Sequence, residues 1–180
     1  VHQGKPWDLM AWSFTWTDGL YNTKSVPQLQ QEAATVLALG GGFQAYFPQK
    51  RDGSVRMWQQ VRLMSEVAKF CRARQEFCHK AQSVPQVALL YSTEAYYRMA
   101  RNVFAPWGGE LTALNGILQC LLDSQNSVDI VMEHHLAGRM GDYPLIVVPE
   151  WEYLAPAFRD ELVGYVKNGG NLLLIGPKCA

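Results

Sequence analysis

Residues 143–177 read YPLIVVPEWEYLAPAFRDELVGYVKNGGNLLLIGP. Leu145 to Pro149 (LIVVP) is a short apolar run rich in β-branched residues, which reads as a strand. Pro156 stands where a first helical residue fits, because its missing N–H has no partner there in any case. Asn168-Gly169-Gly170 stops that helix, since glycine takes the left-handed backbone of a helix end without cost. Leu172 to Ile175 (LLLI) is then a second strand. Runs this apolar predict strands covered on both faces. A strand, a helix and a strand in that order predict a parallel pair with a right-handed crossover.

The same pattern extends upstream. Val87 to Tyr91 (VALLY) and Val128 to Met132 read as strands, and Glu110 to Ser124 as a helix with Leu111, Leu114, Leu118 and Leu121 or Leu122 inward. Ser92 to Gly109 has no helical or strand period and reads as a long connection. Ser83-Val84-Pro85 marks a boundary, so residues 84–180 form one α/β domain on an open parallel sheet. The sequence ends just beyond the LLLI strand, where such a sheet is expected to continue. The chain is therefore expected to be a piece of a larger protein.

Residues 1–82 read strand–helix–strand–helix. Trp7 to Trp16 (WDLMAWSFTW) is an aromatic-rich strand, and Thr17 to Ser25 a polar loop. Pro27 opens a helix carrying Leu29, Ala33, Val36 and Leu37 on one face, closed by Gly40-Gly41-Gly42. Phe43 to Phe47 (FQAYF) is the second strand. A long helix from Val55 to His79 is expected to face inward with Trp58, Val61, Met64, Ala68, Cys71 and Cys78.

Composition narrows the function. Hydrophobic residues make up 48% of the 180, enough for a packed core, and formal net charge is zero. Nothing in bulk charge attracts nucleic acid or an anionic membrane. No apolar run is long enough to span a bilayer, and no charged segment leads into an apolar one as a signal peptide requires. The cysteines Cys71, Cys78, Cys120 and Cys179 form no CxxC pair and are expected to be buried thiols. Cys71 and Cys78 share one helical face but stand about 10 Å apart along it, too far for a disulfide.

Three stretches resemble one family: VALLYSTEAYY, VDIVMEHHL and the 143–177 run that opened this reading. Together they resemble the trimerisation-type domain that follows the barrel in β-galactosidases and related glycoside hydrolases. That domain is similar in fold to flavodoxins and class I glutamine amidotransferases. Residues 1–82 resemble the last two βα units of the preceding (β/α)8, or TIM, barrel, with WDLMAWSFTW as strand seven and FQAYF as strand eight. The resemblance implies the C-terminal portion of a glycoside hydrolase, β-galactosidase-like or α-L-fucosidase-like. It implies a carbohydrate substrate handled by the parent protein, a homo-oligomer, and a soluble protein of the periplasm or secreted space.

Glycoside hydrolysis needs two carboxyl groups flanking the bond, placed at the C-terminal ends of barrel strands. The resemblance implies a nucleophilic Glu on strand seven, and Trp7 to Trp16 holds none. Asp18 is the one carboxylate near such a site, and a solvated Asp-Gly turn is the role that competes for it. Trp16, Tyr46 and Gln49 are the candidate sugar contacts, since aromatic faces stack on pyranose rings; Trp12 is a lesser one. Core packing is the competing role for all three rings.

Amidotransferase chemistry needs a Cys on a strand–turn–helix elbow. After LIVVP the elbow position holds Glu150-Trp151-Glu152, with no thiol or hydroxyl nucleophile. Glu133-His134-His135 invites a metal, but neighbours on an extended chain point to opposite faces, so no metal site is expected. Gly40 to Gly42 and Gly169-Gly170 lie on helix-to-strand connections, opposite to a dinucleotide fingerprint. Gly108-Gly109 precedes a helix but stands far from the strand. No cofactor is expected. The segment 92–109 carries Tyr96, Tyr97, Arg98, Phe104 and Trp107, residue types enriched at protein interfaces, and is the candidate contact surface.

The reading is therefore part of a carbohydrate-acting glycoside hydrolase with no complete catalytic site in this chain. A non-catalytic α/β binding or oligomerisation module is the alternative. An amidotransferase-like enzyme lacks its cysteine.

Overall fold

The computed structural model describes residues 5–17, 20–54, 57–100 and 111–176. They fall into two units, Val1–Gln82 and Ser83–Ala180.

In the first unit, β1 (Asp8–Trp12) pairs in parallel with β4 (Gly42–Tyr46), from Asp8↔Gly42 to Trp12↔Tyr46. The connection carries β2 (Phe14–Thr17) and β3 (Leu20–Thr23), which pair antiparallel, and then α1 (Val26–Ala38). The single aromatic strand expected over Trp7 to Trp16 is therefore two. It breaks at Ser13, whose N–H donates to the Tyr46 carbonyl at 2.9 Å and whose carbonyl accepts from Lys24 N–H at 2.8 Å. Of the stretch expected as a loop, Leu20–Thr23 forms β3. Asp18-Gly19 between Thr17 and Leu20 is the two-residue hairpin signal that marks it.

Ser25 caps α1 in a reciprocal box with Gln28. The helix ends in a Schellman motif, with Gly40 N–H on Leu37 O at 2.9 Å and Gly41 N–H on Val36 O at 3.0 Å. The long helix expected next is two pieces, α2 (Met57–Arg72) and α3 (Gln75–Cys78). Its buried stripe also differs. Leu63 and Val67 go into the core with Leu29, while Val61 is exposed. The spacing from Met64 to Cys71 fits either stripe, and the packing against α1 selects the one through Leu63 and Val67. Leu29, Leu63 and Val67 form the core of this unit, with Ala11 and Phe43 reaching it from the strands.

In the second unit the strands β5 (Val87–Leu90), β6 (Val128–Val131), β7 (Leu145–Pro149) and β8 (Asn171–Ile175) form one sheet of order β6-β5-β7-β8. Every pair is parallel. This is the flavodoxin-like open α/β sheet expected from the 143–177 run. Helix α4 (Thr93–Met99) follows β5 and α5 (Thr112–Asp123) leads to β6. A one-turn α6 (Glu133–Leu136), a 3-10 turn at Met140–Asp142 and α7 (Pro156–Lys167) complete the unit. The connections run outward in opposite directions from β5 and from β7. With right-handed crossovers this places α5 and α7 on opposite faces of the sheet.

Helix α4 lies where a structureless connection was expected. Ser92 caps it, its hydroxyl accepting from Ala95 N–H at 3.1 Å. A serine before an acidic first turn was the available signal. Strand β5 and all of β7 but the half-buried Leu145 are buried, as the apolar runs predict, and pack with Leu136, Phe158 and Leu162. Strand β8 is not: Leu173 and Leu174 are exposed. Among the described residues β8 is an edge strand of the sheet. On α5, Leu114 is buried and Leu121 packs inward, while Leu122 and Cys120 face out. Cys71 and Cys78 are half-buried, so the uniform expectation of buried thiols does not hold. Among the described residues no helix is long and apolar enough to cross a membrane.

Candidate functional site

Side chains alternate across a strand, so the β1–β4 layer has two unlike faces. Ala11 and Phe43 face the helices and join the core. Asp8, Met10, Trp12, Gln44 and Tyr46 share the other face. Gln44 donates to Asp8 across it, and Met10, Trp12 and Tyr46 are exposed at 52%, 52% and 44%. No described element of this unit covers it.

The aromatic residues gather at the C-terminal end of both strands. Trp12 stacks on Phe14 with centroids 5.2 Å apart, and Phe14 meets Tyr46 at 6.0 Å. Phe14 is buried and fixes the two exposed rings from behind. A groove of ≈ 580 Å³ along β1 is lined by Met10, Trp12 and Phe14 and also by Leu9, Val36 and Phe43, so it runs over to the side of the layer that faces α1. Lys24 Nζ holds Glu32 Oε1 at 2.6 Å, and the lysine is mostly buried. Ser13, fully buried at the same end, has a hydroxyl with no hydrogen-bond partner among the described residues.

Of the expected sugar contacts, Tyr46 lies in this cluster. Gln49 is exposed beyond the end of β4. Trp16 is placed in β2 by its backbone, opposite Tyr21, but its side chain and all of Asp18 lie outside the described residues. Trp12, ranked below Trp16 on sequence grounds, is paired in register with Tyr46. Its even spacing from Phe14 was the signal. The Lys24–Glu32 pair joins a loop to a helix and had no sequence signal.

The second unit has its own cluster at the carboxyl edge of the sheet. Glu133, just beyond β6, accepts from the Ser92 hydroxyl and from Thr93 N–H and Oγ1, each of the latter at 3.1 Å. This ties the start of α4 to α6. Tyr91, just beyond β5, meets the ring of Trp151 edge-on at 5.9 Å and that of Tyr96 at 5.6 Å. Burial pushes the Tyr91 hydroxyl up in pKa, with the Tyr96 and Tyr97 hydroxyls adding to it. Trp151 is buried and donates Nε1–H to the Leu90 carbonyl at 2.7 Å.

Glu150 follows β7 with φ +33°. That backbone costs a non-glycine residue about 1–3 kcal/mol. Glu150 is no nucleophile of the amidotransferase kind, and residues 150–155 separate β7 from α7, so no sharp strand-to-helix elbow forms there.

The candidate interface residues divide. Tyr96 is half-buried in the core, Tyr97 is exposed, and Arg98 lies 3.6 Å over the Tyr153 ring. Phe104, Trp107, Gly108 and Gly109 lie outside the described residues. His134 and His135 stand on helix α6 and not on an extended chain, with ring centroids 4.0 Å apart. The opposed-face argument therefore does not apply to them. At the other edge of the sheet, Asp129 is buried and accepts from Ser83 Oγ at 2.9 Å and Tyr143 OH at 3.2 Å. Burial first, then the Asp129 carboxylate, pushes the Tyr143 hydroxyl up to about 12.

No protein-family model and no curated protein matches the sequence. Solved structures do. An α-L-fucosidase isoenzyme 2 from Paenibacillus thiaminolyticus superposes over 92% of this chain and 24% of its own, with TM-score 0.72 and 21% identity. The chain shares the fold of part of that enzyme. A β-galactosidase from the haloarchaeon Halorubrum lacusprofundi covers 98% of this chain and 28% of its own, with TM-score 0.70 and 16% identity. A β-galactosidase from Bacillus circulans sp. alkalophilus covers 94% and 27%, with TM-score 0.70 and 14% identity. In each, both units find a counterpart within one longer glycoside hydrolase chain. The present chain spans about a quarter of the length of these structures.

Proposed function

We propose that this chain is part of a carbohydrate-acting glycoside hydrolase. Residues 1–82 are the closing βα units of a (β/α)8 barrel, and residues 84–180 a trimerisation-type domain that serves assembly or shapes the mouth of the site. The observation that carries this is the β1–β4 layer. A parallel sheet is stable when both faces are covered, yet here helices cover Ala11 and Phe43 on one face, leaving Leu9 there exposed, and aromatic side chains stand open on the other. A closed barrel supplies that cover, and its C-terminal mouth is where barrel enzymes work. The unpartnered Ser13 hydroxyl supports the same reading, because groups from further strands then complete its surroundings.

In this reading Trp12 and Tyr46 present ring faces to a sugar, with Phe14 fixing their positions. The paired Glu32 is held by Lys24, and no described carboxylate pair flanks a substrate position. In this reading most of the catalytic acids come from strands outside this chain, with Asp18 the one candidate within it. The carbohydrate preference of the fucosidase and β-galactosidase neighbours makes methyl α-L-fucopyranoside and methyl β-D-galactopyranoside the first ligands to try.

Trp12→Ala and Tyr46→Ala are each expected to weaken binding of the preferred glycoside in the parent protein. Loss of one aromatic contact worth about 0.5–1.5 kcal/mol corresponds to roughly 2–12-fold in affinity. Titration calorimetry reads this directly. Unchanged affinity in both variants, with folding intact, removes the aromatic mouth from the account.

A further inference from the structure

The boundary between the two units falls between Gln82 and Ser83. On each side of it the chain is fastened to its own unit.

On the first side, α3 ends at Cys78 and the chain turns at once. Lys80 takes φ +60°, a backbone that a long side chain keeps only where its surroundings impose it. Ala81 supplies that constraint. Its N–H donates to the Cys78 carbonyl at 3.1 Å. Its own carbonyl oxygen lies against Gly40 at the end of α1, 2.5 Å from where a Cβ there would stand. An approach this close needs the bare backbone of glycine.

On the second side, the Ser83 hydroxyl donates to the Asp129 carboxylate on β6 at 2.9 Å. Asp129 is buried, and Tyr143 donates to the same oxygen at 3.2 Å, which holds the acceptor still. Three residues on, Gln86 is tied twice to Ser127 at the entry to β6. Its N–H donates to the Ser127 carbonyl at 3.2 Å, and its side-chain oxygen accepts from Ser127 N–H at 2.6 Å. Pro85 stands between the two ties. It fixes its own φ and keeps Val84 in extended backbone. Residues 83–86 are therefore a strap, fastened at both ends and stiff in the middle. The printed bond that fastens its leading end is made by a side chain, so one substitution releases that end and leaves Gln86 in place.

We propose that the Ser83–Asp129 hydrogen bond is a latch on the junction. While it is closed, free rotation of the chain between the units is confined to the exposed Gln82; when it opens, the free stretch extends to Pro85. The inference concerns the junction alone and holds whether or not the protein acts on carbohydrate.

Trypsin reads the latch directly, because it cuts after Lys80 and needs several residues extended on each side of the bond, Ser83 among them. Native-state cleavage then follows the population of the opened chain. The parent protein is digested under native conditions and the fragments are identified by mass. Unsubstituted protein is expected to resist cleavage at Lys80. Ser83→Ala is expected to speed that cut by about tenfold or more, the change for losing one hydrogen bond to a charged acceptor. Ser83→Thr, which keeps the hydroxyl, is expected to bring the rate back. Arg159 within α7 stays uncut while Lys80 is cleaved, because opening the latch leaves the sheet and its helices intact. Four results overturn the latch. They are rapid cleavage at Lys80 in unsubstituted protein, an unchanged rate in Ser83→Ala, no recovery in Ser83→Thr, and cleavage at Arg159 in step with Lys80, which makes Ser83 a general support of the second unit.

Discussion

Trp151→Ala is expected to lower the stability of the second unit by about 3–5 kcal/mol, the range for deleting a large buried aromatic. The side chain is 4% exposed and belongs to the same core as Leu89, Ile146 and Val148. It also stands in for a missing rung. The β5–β7 ladder ends at Leu89↔Val147, and the Leu90 carbonyl takes its hydrogen bond from the Trp151 indole instead. Removing the ring opens a cavity, strips Tyr91 of its edge-on partner and leaves that carbonyl without its donor. Trp151→Phe separates these effects. It keeps most of the volume but removes the donor, and a loss of about 1–3 kcal/mol is expected. Chemical denaturation of both variants measures the difference. Losses below about 1 kcal/mol in both contradict a buried, hydrogen-bonded Trp151.

Gly40→Ala is expected to cost the first unit a comparable amount. Gly40 has φ +77° and closes α1 through its N–H on Leu37 O. Alanine there carries the left-handed backbone penalty, about 1–3 kcal/mol. In addition its Cβ would lie 2.5 Å from the Ala81 carbonyl oxygen. That neighbour is backbone and cannot swing aside as a flexible side chain does. Overpacking of this kind adds about 1–3 kcal/mol, so the whole loss is about 2–6 kcal/mol. Gly53→Ala is the control. It shares the positive φ but meets nothing within 4 Å, so it carries the backbone penalty alone. Equal losses at the two positions, measured by thermal or chemical denaturation, argue against the close approach of Ala81.

The elements legible in the sequence are those whose signals are local and redundant. For α7, a proline at the start, a Gly-Gly stop and apolar strands on either side all agree, and the helix runs Pro156–Lys167 between β7 and β8. The hairpin of β2 and β3 was missed because its residues are polar on the scale of the flanking aromatics, although Asp18-Gly19 carries a hairpin signal. Helix α4 was missed because seven residues, Thr93–Met99, are too few to show a helical period. The exposure of β8 could not be read from LLLI at all. An apolar run says that a strand can be covered on both faces, while what packs around it decides whether it is.

The candidate site was legible in kind more than in detail. Tyr46 could be singled out because it ends a strand that reads clearly. Trp12 was ranked low because the break at Ser13 is invisible in a run of apolar residues. Without that break, the strand reads on to Trp16. Glu150 stood out as the residue in the place of a nucleophile, but its backbone conformation is a tertiary property, imposed by Trp151 on one side and Gly176 on the other.

The central claim is that these units complete a glycoside hydrolase whose catalytic carboxylates lie mostly outside residues 1–180. Its most direct test compares the 180-residue chain with the full translation product of its gene in hydrolysis of nitrophenyl β-D-galactopyranoside and nitrophenyl α-L-fucopyranoside. The account predicts turnover of one of the two by the full product and none by the 180-residue chain. Hydrolysis by the 180-residue chain at an enzyme-like rate contradicts it, as does a full product that turns over neither.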